Sequence, residues 1–190
     1  YVPAGRILVV DEDDNVFGFG REPAFFAQSH VLEYQLFCAR GNTYQRDEWK
    51  KVFSHIKSKE ASITNWQQNR ELPIEKLSAV QFNWRTVNPP LLARAMVGAG
   101  DTVFLAGPPD VLDETRLRGR FLQPDVVKQI QQQQDAVDGQ LGGILWAVST
   151  KDGTKVCEQK LDSPPVFDGL IAANEKLFMS TTDGCVICYK

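Results

Sequence analysis

The sequence predicts an all-β fold made of repeated sets of short antiparallel strands. The chain has 190 residues, of which 43% are hydrophobic, so it can bury a sizeable core. One pattern recurs along it: an apolar run, a tight polar turn and a second apolar run. A four-stranded sheet that repeats and buries little on its own is typical of a propeller blade. The repeat therefore predicts a partial β-propeller of about three four-stranded antiparallel blades, with helical insertions.

Charge and hydropathy exclude several classes of protein. The formal net charge is −3, which excludes binding of nucleic acid through bulk positive charge. No stretch reaches the roughly 18 uncharged apolar residues of a membrane span. Apolar and aromatic residues are too plentiful for a disordered chain. Because Tyr1 is neither a starting Met nor part of a signal-peptide pattern, we expect the C-terminal part of a longer protein.

The first predicted unit comprises residues 1–20 and 79–88. Residues 7–20 align without a gap with residues 177–190, and each segment has two apolar runs around a polar turn. Asp-Gly in the later segment is a strong hairpin signal, and Asp-Asp occupies the same place in the earlier one. We expect residues 7–20 to form the second and third strands. The end of the first strand and the whole fourth strand are expected at residues 1–4 and 81–87.

An inserted segment is predicted within this unit, at residues 21–78. Its middle part carries apolar residues at the i, i+3, i+4 and i+7 positions of one helix face, namely Trp49, Val52, Phe53 and Ile56. This spacing predicts a short amphipathic helix. Residues 31–39 alternate, which predicts a strand. Because residues 36–39 also resemble residues 145–148, two segments compete for the third strand of the first unit.

The second predicted unit comprises residues 89–161 and contains an insertion at residues 108–142. Its four strands are expected at residues 91–97, 102–106, 144–149 and 155–161. The insertion carries a helix that begins at Pro124, a residue suited to the first helical turn. The glutamine run at residues 131–134 is too short for an aggregation tract and predicts a solvated helix face.

The third predicted unit, residues 162–190, is incomplete. Strands are expected at residues 166–172, 176–180 and 185–189, and the sequence offers no fourth. Pro-Pro pairs at residues 89–90 and 164–165 mark crossings between strands, because proline cannot lie inside a central strand. Three blades leave open sheet edges, since propellers need about four to eight. The expected partners are further blades of the parent chain, or a second copy of this chain through those edges.

Residues 145–165 carry the clearest family motif. The quinoprotein-like, or pyrroloquinoline-quinone-like, β-propeller repeat reads Ala-x-Asp-x-x-Thr-Gly-x-x-x-Trp, followed by Ser-Pro-Pro and an apolar strand. Ala147, Gly153 and the Ser-Pro-Pro at residues 163–165 match it. The remaining positions differ, with Ser149 for the Asp, Asp152 for the Thr and Cys157 for the docking Trp. The chain thus resembles this repeat family.

The resemblance implies an exported, periplasmic bacterial protein, because residues 7–21 and 91–110 resemble large exported propeller proteins of environmental bacteria. Quinone-dependent dehydrogenases of this superfamily hold the cofactor near the propeller axis, with calcium bound by Glu, Asn and Asp beside a catalytic Asp. That set cannot be placed on this sequence. The alcohol-oxidising branch also has a disulfide between two adjacent cysteines, and no two cysteines are adjacent here. The resemblance therefore implies a member without a cofactor, such as the outer-membrane assembly lipoprotein; pyrroloquinoline quinone with calcium belongs to the alternative.

Arg94 and Asp168 are the candidate ligand contacts. Both are charged residues in apolar runs, at equivalent places in the first strands of the second and third units. First strands line the central channel of a propeller, so we expect both side chains to face the channel and contact a ligand or water. The alternative is that one or both lie in a corner turn, exposed or paired.

Three other motifs favour structural roles. Asp11, Asp13 and Asn15 mimic the opening of a calcium loop, but its glycine is missing, which favours a hairpin turn. Cys185-x-x-Cys188 lies in a strand pattern that sends its thiols to opposite faces, so these cysteines, like Cys38 and Cys157, are expected to be ordinary strand or core residues. Three tryptophans offer rings for stacking on sugars, although such aromatics more often lie in a core: Trp49, Trp66 and Trp84.

The residues together favour a non-catalytic propeller scaffold or binding module, because no catalytic set is recognisable. The first alternative is the C-terminal part of a quinone- or haem-linked periplasmic dehydrogenase. The second is a carbohydrate-binding propeller. Protein or glycan is the expected ligand, and nucleic acid is not.

Overall fold

The computed structural model describes residues 5–21, 33–40, 80–117 and 119–190, which are mostly β, as predicted. They form three antiparallel sheets. The first contains, in order, β1 (Gly5–Val10), β2 (Asn15–Arg21), β3 (Tyr34–Arg40) and β4 (Phe82–Val87). The second contains β5 (Ala95–Ala99), β6 (Thr102–Gly107), β7 (Gly143–Ser149) and β8 (Lys155–Leu161). The third contains β9 (Pro165–Ala173), β10 (Lys176–Thr181) and β11 (Val186–Tyr189).

Tight turns join several of the consecutive antiparallel strands, among them β1–β2 and β9–β10. Between β1 and β2, the Asp11 carboxylate accepts hydrogen bonds from the backbone N–H groups of Asp13 and Asn15. Between β9 and β10, Asn174 and Glu175 have φ values of 50° and 58°. Positive φ at both central residues is the turn that matches the twist of the flanking strands. Strands that follow one another in the chain are neighbours in all three described sheets, so each sheet is a meander.

The second sheet packs against a neighbouring sheet on each of its two faces, mainly through β5, β6 and β7. The core against the first sheet contains apolar residues from both, among them Phe17, Phe19, Leu36, Met96, Val103 and Leu105. The core against the third sheet contains a second set, among them Ala95, Ala106, Leu145, Leu170, Leu177 and Met179. The first strands are neighbours, because β5 contacts both β1 and β9. The three sheets thus form a stack with the second at its centre.

The strand order of the first sheet corrects one prediction. Residues 7–20 form its first and second strands, because β1 is an edge strand that pairs with β2 alone in the described sheet. The assignment to second and third strands was wrong, since a hairpin of two apolar runs has the same pattern whichever strands it joins. The predicted first-strand tail, residues 1–4, lies outside the described residues.

The third strand of the first sheet is β3, which decides between the two alternatives in favour of residues 36–39. It lies within the predicted insertion, residues 21–78, and pairs with β2 and β4. The β3–β4 register shifts after Cys38 and the β7–β8 register after Ala147, because Asn83 on β4 and Val156 on β8 are extra residues. The fourth strands of the two sheets thus have a bulge at the same place. The helix predicted at residues 49–56 lies outside the described residues.

The other strands lie close to their predicted positions. β5 begins at Ala95 rather than at residue 91, because the residues before it pair with the segment that follows β6. Leu91 forms a bridge with Pro109, and the Leu92 N–H donates to the Pro108 carbonyl at 2.9 Å. The insertion carries α1 (Glu114–Leu117) and α2 (Pro124–Val137). Neither described helix is long and apolar enough to cross a bilayer.

Candidate functional site

Trp84 on β4 connects the first sheet to the second. Its indole Nε1 donates a hydrogen bond of 2.8 Å to the backbone carbonyl of Thr150, in the turn between β7 and β8. Its ring packs against Gly153, where φ is 73° and a Cβ would lie 2.4 Å from the ring atom Cε3. Glycine is therefore required twice, for the backbone conformation and for the close approach of the ring.

Paired residues form one row across each sheet. In the first sheet the row contains Val9, Phe17, Cys38 and Trp84. In the second it contains Val97, Phe104, Ala147 and Cys157. In the third it contains Ile171, Phe178 and Cys188. Trp84 and Cys157 therefore occupy the same place in their sheets.

These rows mark equivalent faces, because residues directly opposite each other on antiparallel strands share a face. The row of the first sheet packs in the core between the first and second sheets. Val97 and Phe104 of the second row pack in the core between the second and third sheets. In the third sheet, Ile171 is 62% exposed. One structural unit is thus repeated along the stack.

Arg94 and Asp168 are brought together by the backbone. The Asp168 N–H donates to the Arg94 carbonyl at 2.8 Å, which joins the third sheet to the second. They lie at equivalent distances before Val97 and Ile171 of the rows, as expected. The Arg94 guanidinium donates to the carbonyl of Val137, where a cation is favoured by the C-terminal end of α2. Arg94 thus anchors the insertion, while ligand contact at the exposed Asp168 stays a prediction.

The acidic segment after β1 is a hairpin turn, as predicted. The Asp11 carboxylate accepts 2.9 Å hydrogen bonds from both the backbone N–H and the side-chain Nδ2 of Asn15. The side-chain bond is the main reason that the pKa of Asp11 lies below its ordinary value. Among the described residues, no three His, Cys, Asp or Glu side chains lie together as a metal site.

The cysteines are free thiols in or beside strands, as predicted. Cys38 on β3 is buried, and burial raises the pKa of its thiol. Cys157 on β8 and Cys188 on β11 are exposed, and so is Cys185, which precedes β11. Cys188 therefore lies on a short strand and Cys185 immediately before it, and neither is at the start of a helix.

Gln133 is a structural residue that the sequence did not single out. From α2, its Oε1 accepts hydrogen bonds from the N–H groups of Val111 (2.8 Å) and Leu112 (3.1 Å), and its Nε2 donates to the Pro109 carbonyl (3.2 Å). A solvated helix face is therefore the wrong description for this member of the run. Four identical residues in a row contain no periodic signal that distinguishes one of them.

The same loop holds an acid with a raised pKa. Burial is the main reason that the pKa of Asp110 is raised to about 6, and the neighbouring charges of Glu33, Asp113 and Glu114 act in the same direction. The backbone hydrogen bond from Leu112 opposes this rise. The loop between β6 and α1 therefore carries a carboxyl group that titrates not far below neutral pH.

Trp84 is a core residue, as predicted, and does not form the alternative sugar platform. Its side chain lies in the core, with only 9% of the residue exposed, and its ring is used against Gly153. Stacking on a sugar needs an open ring face. Trp49 and Trp66 lie outside the described residues.

Comparison with known proteins finds no relative. No protein-family model matches the chain, and no curated protein matches it either. The likeness to the quinoprotein-like repeat therefore rests on the motif at residues 145–165.

Proposed function

We propose that the chain is a non-catalytic scaffold or binding module, built as part of a β-propeller of the quinoprotein-like class. The observation that carries this proposal is the row that recurs at the same register in all three sheets. Repetition of a whole cross-strand row indicates one supersecondary unit that buries its face only against its neighbours. A propeller blade is such a unit.

The arrangement of the sheets supports the propeller. Each is a meander of consecutive strands, and β5 lies between β1 and β9, so the first strands are next to one another. Blades placed around a common axis bring their first strands together at the centre. The second sheet, with both faces covered, is then an interior blade.

The contact of Trp84 supports the quinoprotein-like class. Gly153 is the glycine of the motif, and Trp84 has in the first sheet the place that Cys157 has in the second. The motif glycine of the second sheet, Gly153, therefore contacts a tryptophan at the motif position of the first sheet, Trp84. The hydrogen bond from the Trp84 indole to the Thr150 carbonyl adds to this contact. Such a contact couples one blade to the next, which explains why a repeat would retain both residue types.

The scaffold has one defined surface on its second sheet. Arg94 and Gln133 hold the insertion between β6 and β7 through the carbonyls of Val137 and Pro109. We propose that this insertion presents a protein-binding surface in an exported, periplasmic protein, as the resemblance implies. Trp84 is buried, so it offers no open ring face for a carbohydrate.

Titration with pyrroloquinoline quinone and calcium tests the proposal against the dehydrogenase alternative. The full chain is mixed with both, and the quinone absorbance and dye-linked alcohol oxidation are followed, with a known quinone-dependent dehydrogenase as positive control. We expect no saturable spectral change and no turnover. Calcium-dependent binding of the quinone together with alcohol oxidation would contradict the scaffold proposal and support the dehydrogenase alternative.

A further inference from the structure

Aspartate followed by glycine occurs at four places in the sequence, all of them within the described residues: 138–139, 152–153, 168–169 and 183–184. This dipeptide can rearrange with water as the only other reactant. The backbone nitrogen of the glycine attacks the side-chain carboxyl carbon of the aspartate, and a five-membered succinimide ring forms. Because the two reacting groups are the same at all four places, the structure around each decides which of them reacts.

Hydrogen bonds hold both reacting groups at three of the four places. The glycine N–H donates to a backbone carbonyl at 3.0 Å in each, the pairs being Gly139 with Ala136, Gly153 with Ser149, and Gly184 with Thr181. The carboxylates also accept side-chain hydrogen bonds, from Gln134 to Asp138, from Thr154 to Asp152 and from Thr181 to Asp183. Attack by the glycine nitrogen would break these bonds, so it is opposed at these places.

Asp168 and Gly169, in the first half of β9, lack these restraints. The Asp168 side chain is exposed and makes no hydrogen bond or ion pair within the described part of the chain. Gly169 has no partner in the register of β9 with β10, which shifts between Met179 and Thr181. Asp168 also has a φ of 58°, in the left-handed region that is costly for a residue with a side chain. The carboxyl group is therefore free to approach the glycine nitrogen, at a point where the strand is irregular and strained.

We propose that Asp168 is a site of isoaspartate formation in this protein. A bond forms between the Gly169 nitrogen and the Asp168 carboxyl carbon, while the carboxyl hydroxyl and the amide hydrogen leave together as one water molecule. Water then adds to the main-chain carbonyl carbon of the ring and breaks its bond to the Gly169 nitrogen. The chain now continues through the Asp168 side chain, with no change of mass and no oxidation. This inference does not depend on the proposed function.

The position of Asp168 gives this modification a structural consequence. The Asp168 N–H donates to the Arg94 carbonyl at 2.8 Å, which joins the third sheet to the second. Isoaspartate adds one methylene group to the main chain between Asp168 and Gly169. The next residue, Leu170, is buried in the core between these two sheets, so a longer main chain cannot keep both contacts without a shift. The modification is therefore expected to loosen the third sheet from the second.

Incubation of the full folded chain in mildly acidic buffer tests the site. Peptide mapping with electron-transfer fragmentation distinguishes isoaspartate from aspartate and gives a rate for each of the four aspartates. We expect Asp168 to react about tenfold faster than the other three, the factor that corresponds to about one hydrogen bond. The same incubation in concentrated urea is the control, in which all four should react at similar rates because the hydrogen bonds are lost.

Two variants test the chemistry at this position. Asp168→Asn reaches the same succinimide by loss of ammonia, and asparagine tolerates positive φ, so this variant should form isoaspartate faster than the wild type. Asp168→Glu keeps the carboxylate but would need a six-membered ring, so no comparable product is expected. Equal rates at the four places in the folded chain, or a preference for Asp168 that persists in urea, would overturn the proposal.

Discussion

At the scale of residues, the junction of the first two sheets depends on a few contacts. Trp84 combines burial of a large ring with a hydrogen bond to Thr150. Gly153 provides the space that the ring occupies. Both contacts join β4 of the first sheet to the turn between β7 and β8 of the second sheet, so Trp84 and Gly153 stabilise the junction between the sheets.

Substitution of Trp84 measures that contact. Trp84→Phe removes the indole donor and is expected to lower the free energy of unfolding by about 1 kcal/mol. Trp84→Ala also opens a cavity, so the loss should reach about 3–5 kcal/mol. Urea unfolding followed by far-UV circular dichroism measures both, with Val127→Ala at an exposed position of α2 as control. An alanine variant as stable as the wild type would show that the contact is not needed.

Asp110 predicts a pH dependence of stability. Its folded pKa of about 6 lies above the ordinary aspartate value of 3.8, so the folded protein favours the protonated carboxyl. This contribution is complete below the lower pKa and is lost as the pH rises through about 6. Asp110→Asn is neutral at every pH, so its stability relative to the wild type should rise from pH 4 to pH 7.5, by about 1 kcal/mol after allowance for solvent screening.

Unfolding in urea at both pH values measures this difference. Asp101→Asn, at an exposed turn position, is the matched control and should show no comparable change. A difference between Asp110→Asn and the wild type that does not vary with pH would refute the assignment to Asp110.

At the scale of elements, α2 is held on the second sheet by its ends and by one glutamine. Val126 and Ala136 are its buried residues, so the apolar contact is small. Arg94 binds the carbonyl of Val137, and Gln133 binds the loop at Val111 and Leu112. Polar contacts, not a broad apolar face, therefore position this helix.

Gln133→Ala tests this anchoring. Loss of its hydrogen bonds should speed the exchange of the Val111 and Leu112 amides about tenfold, which corresponds to about 1.4 kcal/mol. Gln132→Ala, at the preceding exposed position of the same run, is the control and should leave both amides unchanged. Equal effects of the two variants would mean that Gln133 has no special part in holding the loop.

At the scale of the whole molecule, the sheets are stacked so that the first and third contact the second through different cores. In such a linear arrangement, stability is close to a sum of the units and their nearest-neighbour interfaces. A defect in one interface should therefore be felt mainly by the sheets on its two sides.

Met179→Ala tests this nearest-neighbour behaviour. The side chain is fully buried between the second and third sheets, so its loss should cost about 2–5 kcal/mol in that interface. Amides of β9 and β10 should then exchange faster, while those of β2 and β3 keep their protection. Leu105→Ala, in the other core, is the counterpart and should expose the first sheet. Uniform acceleration of exchange in all three sheets by Met179→Ala would contradict the stack.

The sequence predicted strands and turns well where the information is local. The strands of the second and third sheets and the start of α2 at Pro124 follow from period-two alternation and turn residues. The candidate site was harder to predict from the sequence. The equivalent positions of Arg94 and Asp168 were predicted, but the contact of the Arg94 side chain with α2 depends on a helix that folds back from the insertion. No local pattern contains that contact.

The sequence by itself determined that the chain alternates, turns and repeats, because side-chain alternation and backbone preference act within a few residues. Only the tertiary structure decided that β1 is the first strand of the described sheet, that β3 joins β2 to β4 and that Trp84 packs on Gly153. Those choices join segments far apart in the chain. They are set by which apolar faces can cover one another, and this depends on all the sheets at once.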